Sequence, residues 1–135
     1  MTNDLFKNYS TFVENLLSKP SSNIEDLITR MRELDSSGCK VPQLLTGACG
    51  LSSESGEFME IVKKLLLQGK PYTDDNIHHM VRELSDICFY LQCACIAIGV
   101  NLDDVILENI KKLESRYPGG KFDPHYSENR KAGDL

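Results

Sequence analysis

Apolar residues recur every third or fourth position along most of the chain, and no stretch alternates with the period of two that a half-buried strand requires. That periodicity dictates helices with one apolar stripe each, and such stripes find cover against other helices. Five segments carry it. The first runs from about Asp4 to Ser18, with Leu5, Tyr9, Phe12, Val13, Leu16 and Leu17 on the stripe, and Lys19-Pro20 ends it. Ser22 or Asn23 can cap the second, whose stripe is Ile24, Leu27, Ile28, Met31 and Leu34; Ser36-Ser37-Gly38 breaks it. The third begins near Pro42, which suits a first turn, and ends near Gln68-Gly69. Thr73 opens the fourth, which runs to about Gly99, and Asn101 caps the fifth, which Pro118-Gly119-Gly120 stops. The expected fold is all-α: a bundle of about five helices in a single domain over residues 1–135, with a polar tail from residue 119.

Charge narrows the function. A net charge of −5 argues against a duplex nucleic-acid binder, which needs a basic face, but permits a small polyanion held through metal. The opening MTNDLFKNYS has neither the basic start nor the apolar run of a signal peptide. The longest nearly apolar stretch, Cys88 to Val100, is too short to span a membrane, so a cytoplasmic location is expected. Five cysteines, an odd number, argue against a disulfide framework. Cys88 and Cys95 fall on an apolar face and are expected to be buried thiols. Cys93 and Cys95, two apart on a helix, point to different faces and make no zinc knuckle.

Two acidic pairs stand out. Glu54 and Glu57 on the third helix, and Glu83 and Asp86 on the fourth, are each three residues apart and therefore neighbours on their helix surface. Spacing alone means little, since Glu57 and Glu60 share it. Placement says more. Leu44, Ala48, Leu51, Ser55, Phe58, Val62 and Leu65 form the stripe of the third helix, with Glu54 at its edge and Glu57 further out. Ile77, Leu84, Cys88, Leu91 and Cys95 do the same for the fourth, with Glu83 at the edge and Asp86 beyond. Four carboxylates at the border of two helices repel one another unless a divalent cation intervenes, and oxygen-only ligands favour magnesium first and manganese second. The alternative is four acids solvating two helix rims. A di-iron bundle would need Glu-x-x-His pairs, and the chain has none. His78 and His79 are expected to face solvent, and Lys64 to pair with Glu60.

The fifth helix adds cations. Leu102, Val105, Ile106, Ile110 and Leu113 form an apolar stripe expected to be buried, with Asn109 and Arg116 inside its arc and Lys112 at its flank. Inward-facing amide and guanidinium groups need partners, either acids across the bundle or the phosphates and sugar of an anion. No Walker-type phosphate loop occurs.

Taken in order, Glu54-Ser-Gly-Glu57, Glu83-Leu-Ser-Asp86-Ile-Cys-Phe-Tyr90 and Asn109-Ile-Lys-Lys112-Leu-Glu-Ser-Arg116-Tyr117-Pro-Gly-Gly-Lys121-Phe122 resemble the MazG-like all-α nucleoside triphosphate pyrophosphohydrolases. The likeness runs from about Leu44 to Arg130, and the 25 residues between Glu57 and Glu83 suit its pattern of two acid pairs. It implies that Glu54, Glu57, Glu83 and Asp86 hold magnesium, with Glu54 or Glu57 taking the proton of an attacking water. It implies further that Tyr90, Asn109, Lys112, Arg116 and Tyr117 hold a nucleoside triphosphate, and that the chain forms homodimers or homotetramers. Ser85 stands where relatives often have glycine, and Phe89 where tryptophan is common, which bears on base preference. Two other readings stay open: a pyrophosphohydrolase of a specialised nucleotide such as dUTP or phosphoribosyl-ATP, and a non-catalytic helical module that binds nucleotide.

Overall fold

The structure, a computed structural model, describes residues 2–130, with side chains from Phe6 onward. Seven helices and no strand occur among the described residues: α1 (Thr2–Leu16), α2 (Lys19–Ser22), α3 (Ile24–Ser36), α4 (Val41–Leu67), α5 (Asp74–Ile98), α6 (Leu102–Arg116) and α7 (Pro124–Glu128). The all-α expectation holds. The two additional helices, α2 and α7, are single turns too short to show periodicity; each has a proline in its first turn, where a missing N–H costs nothing. The end of the polar tail, residues 131–135, lies outside the described residues, as does the side chain of Leu5.

The chain forms two compact units, Met1–Pro42 and Gln43–Leu135. In the first, Asn23 links α2 to α3: its Oδ1 accepts from the backbone N–H of Glu25 (2.9 Å) and Asp26 (3.1 Å), satisfying the first turn of α3. Ile28, Met31 and Leu34 are half-buried, whereas Tyr9, Phe12 and Leu16 of the α1 stripe stay exposed.

The second unit is built on α4 and α5, which run antiparallel in close contact. Gly47 lies against Ala94 and Gly50 against Tyr90. A β-carbon at Gly47 would sit 2.9 Å from the Ala94 nitrogen and 3.1 Å from its Cα, and one at Gly50 would fall within the Tyr90 ring. The buried positions of α4 are therefore Gly47, Gly50 and Ile61. This corrects the stripe read from hydropathy: Ala48 and Ser55 are exposed, and Leu44, Leu51, Phe58, Val62 and Leu65 only half-buried. Glycine carries no hydropathic signal, so a helix face made for close backbone approach is invisible to an apolar count. On α5, Cys95 and Ala97 are buried, but Cys88 is exposed, against expectation. It lies seven residues, nearly two turns, before Cys95 on the same face.

Gly99 ends α5 in the left-handed conformation (φ 73°), its N–H bonding back to Cys95 and Ile96, while the N–H of Val100 reaches Cys95 O at 3.1 Å. The chain then turns, and α6 leaves α5 at 98°. Crossing rather than lying along α5, α6 has no buried residue. Its stripe, expected to be buried, is open instead: Val105, Ile106, Ile110 and Leu113 are all exposed, and Leu102 is half-buried. Asn101 starts α6 without a side-chain bond to its first amides, its amide donating to Asp104 Oδ2 at 3.2 Å. No single helix among the described residues is long and apolar enough to cross a membrane.

The glycine contact makes a prediction in which two effects oppose. Alanine is favoured over glycine in a helix interior by about 1 kcal/mol. At Gly56, with nothing within 4 Å of an added β-carbon, that gain stands alone, and Gly56→Ala raises the thermal midpoint. At Gly47 the added carbon meets backbone, which yields little, and overpacking of about 1–3 kcal/mol outweighs the gain. Gly47→Ala therefore lowers the midpoint, and calorimetry on the two variants checks the opposite signs.

Candidate active site

Helix α4 delivers Glu54 and Glu57, and the antiparallel α5 delivers Glu83, to one place. One carboxylate oxygen from each lies within 4.8 Å of the other two. The glycine contact explains the register: Gly50 meets Tyr90, so Glu54, one turn on along α4, comes level with the α5 turns preceding Tyr90. Glu57 is exposed, Glu54 half-buried and Glu83 buried, at 7% exposure. Glu83 thus sits deeper than the stripe edge where hydropathy placed it. Asp86, exposed and one turn on, is not among the three converging side chains, but its charge reaches Glu54.

The electrostatics single Glu54 out. Burial, then Glu57, Asp86 and Glu83 in that order, raise the Glu54 carboxyl above its ordinary value of 4.5. Each cause acts against the charged form. Glu60, which shares the same spacing with Glu57, is in the opposite state: Lys63 and Lys64 bond to it and lower its pKa. Lys64 Nζ lies 3.3 Å from Glu60 Oε1, the ion pair expected from the sequence. Glu60 is therefore compensated on its own helix, whereas Glu54 stands among like charges.

A divalent cation fits that arrangement. Hard cations take carboxylate oxygens at about 2.0–2.1 Å for magnesium, so two oxygens on one ion are at most about 4.2 Å apart. The observed spread of up to 4.8 Å closes to that span by small side-chain rotations. The donors are oxygen alone, which suits magnesium or manganese over zinc or copper.

The sequence reading overlooked one contact. His79, expected only to face solvent, is indeed exposed, yet its Nε2 lies 3.0 Å from Oε1 of Glu83. The four-residue spacing on one helix was the available signal.

The other candidates sit elsewhere. Tyr90 is half-buried, its ring on Gly50 and edge-on to Phe89 at 5.1 Å. Asn109 and Lys112 are exposed and line an apolar groove of about 650 Å³ with Leu91, Ile98, Val105 and Ile106. Tyr117 lines a different groove and stacks obliquely on Phe122, with centroids 5.7 Å apart; Arg116 is half-buried at the end of α6. Neither groove includes an acid of the cluster. On α5 the groove begins at Leu91, about 7.5 Å along the helix beyond Asp86 at 1.5 Å per residue, and runs away from the acids to Ile98.

No curated protein and no solved structure matches the chain. The family model of the MazG nucleotide pyrophosphohydrolase domain matches residues 44–120, more than half of the sequence, including all four acids, the two packing glycines and the whole of α6. With its carboxylates gathered where two helices of that matched segment touch, this chain belongs to the MazG nucleotide pyrophosphohydrolase family, hydrolases that act on nucleoside triphosphates.

Proposed function

We propose that the protein hydrolyses a nucleoside or deoxynucleoside triphosphate between its α- and β-phosphates, releasing the monophosphate and pyrophosphate, with magnesium at Glu54, Glu57, Glu83 and Asp86. The observation that carries this reading is the convergence of three carboxylates from two helices within the matched segment. What magnesium supplies when bound is positive charge against the polyphosphate and a more acidic water beside it, and manganese can substitute. The chain's residues divide the remaining work by exposure. Glu83, buried and already engaged by His79, is suited to holding a cation and not to meeting a mobile water. Glu54 and Glu57 are open enough to accept a proton from water at a carboxylate oxygen. Asn109, Lys112 and Arg116 grip phosphate and sugar, and Tyr90 and Tyr117 border the nucleotide.

The same reading includes a homodimer or homotetramer. Only Ile61, Cys95 and Ala97 are buried apolar residues among those described, too small a core to offset the ordering of a chain this long. The exposed stripe of α6 is the natural surface for a second copy, which would also bring the cations of α6 toward an acid cluster.

Three outcomes follow. With magnesium and a panel of ribo- and deoxyribonucleoside triphosphates, plus dUTP and phosphoribosyl-ATP, chromatography finds monophosphate and pyrophosphate, and Glu83→Gln lowers kcat by about a thousandfold or more, a barrier increase of about 4 kcal/mol, with helical content retained. Diphosphate with orthophosphate as products would refute the bond assignment. Ile106, half-exposed on α6, is the place to break the assembly: sedimentation finds Ile106→Lys at lower mass than the parent.

The third concerns stability. A carboxyl raised above 4.5 by folding adds stability below that value and loses it as pH rises through the folded pKa. At neutral pH the charged Glu54 therefore burdens the metal-free fold. Glu54→Gln raises the thermal midpoint in chelator at neutral pH, this advantage shrinks on acidification, and magnesium stabilises the variant less than the parent. Scanning calorimetry with and without magnesium measures all three.

A further inference from the structure

Glu83 is the one buried charged side chain among the described residues, and its surroundings disfavour the position it takes. Glu54 and Glu57 converge on it from α4, and all three carry like charge. A glutamate has three rotatable bonds, and repulsion of this kind turns a free one away from its neighbours toward water. What opposes that rotation is His79. One turn earlier on α5, in the direction toward which helical side chains lean, its Nε2 lies 3.0 Å from Oε1 of Glu83. The imidazole side chain is 50% exposed while the Glu83 side chain is 9% exposed, so the histidine stays hydrated at one edge and reaches the buried oxygen with the other.

An ordinary surface pair differs. Arg30 and Glu33 also lie 3.0 Å apart, but their side chains are 56% and 58% exposed, and water replaces either partner at little cost. At Glu83 water has poor access, and the histidine is the donor at hand. A carboxylate has about four lone-pair positions, so one bond from His79 leaves others for a cation.

We propose that His79 is a positioning residue: it holds the Glu83 carboxylate toward Glu54 and Glu57 and thereby sets the affinity of the site for a divalent cation. This rests on the metal reading given above. Outer partners of metal-ligating groups act this way, and their loss weakens binding by about 10–100-fold.

The test uses manganese alone, without nucleotide, titrated into the full chain and followed by the electron paramagnetic resonance of free manganese. His79→Ala weakens manganese binding by about tenfold or more. His79→Asn, polar but too short to span the gap, behaves likewise, and His79→Gln, with an N–H donor of similar reach, restores most of the affinity. Circular dichroism and thermal unfolding in chelator establish that the variants are folded, and a role in fold stability alone would move those readouts and not the affinity. If the parent binds manganese, Glu83→Gln loses it and both His79→Ala and His79→Asn bind as the parent does, the histidine has no such role. If the parent takes up no manganese, or Glu83→Gln binds as well as the parent, the metal reading fails and the proposal with it.

Discussion

The close approach of α4 and α5 at Gly47 and Gly50 is the contact on which the rest of this unit depends. The two helices meet with the root of Ala94 against Gly47 and the ring of Tyr90 against Gly50, in the space where β-carbons would stand. Glycine inside a helix sacrifices about 1 kcal/mol of propensity relative to alanine, so two of them on one face mark a place where proximity outweighs helix preference. The contact fixes register as well as distance. Once Gly50 seats Tyr90, the next turn of α4 presents Glu54 and the one after it Glu57 to the N-terminal half of α5, where Glu83 lies.

The charges then arrange themselves by what each can reach. Glu60 has two lysines on its own helix and is held ionised by them. Glu54 is in the opposite condition, with burial and three carboxylates all acting against its charge. Like charges gathered beside a close helix contact are an unfavourable interaction that a cation or a proton relieves. Acids spaced alike in a linear sequence need not converge in this way.

The helices and acid pairs were legible because both rest on local spacing. Periodicity of three to four residues placed all five predicted helices within about two residues of their observed ends, and asparagine, proline and threonine marked the starts of α3, α4 and α5 respectively. What failed was anything that depends on direction in space. The Gly99 turn sends α6 off at 98°, and no count of apolar residues predicts that angle, so a stripe read as core became surface. Cys88 failed likewise: it shares an apolar face with the buried Cys95 and is nevertheless exposed. The His79–Glu83 contact was within reach of the sequence as a four-residue spacing, but histidine so near a helix start gives no sign of whether the carboxylate beyond it is wet or dry.

The contacts at Gly47 and Gly50 have a further consequence for the acids. The gap between α4 and α5 is held at Gly47 by the main chain of Ala94, which has almost no freedom to give, and at Gly50 by the ring of Tyr90. The span from Glu54 and Glu57 to Glu83 follows from that gap. Descendants of this sequence that acquire a methyl group at either glycine would hold their helices further apart, and the carboxylates would part company without any change in the acids themselves.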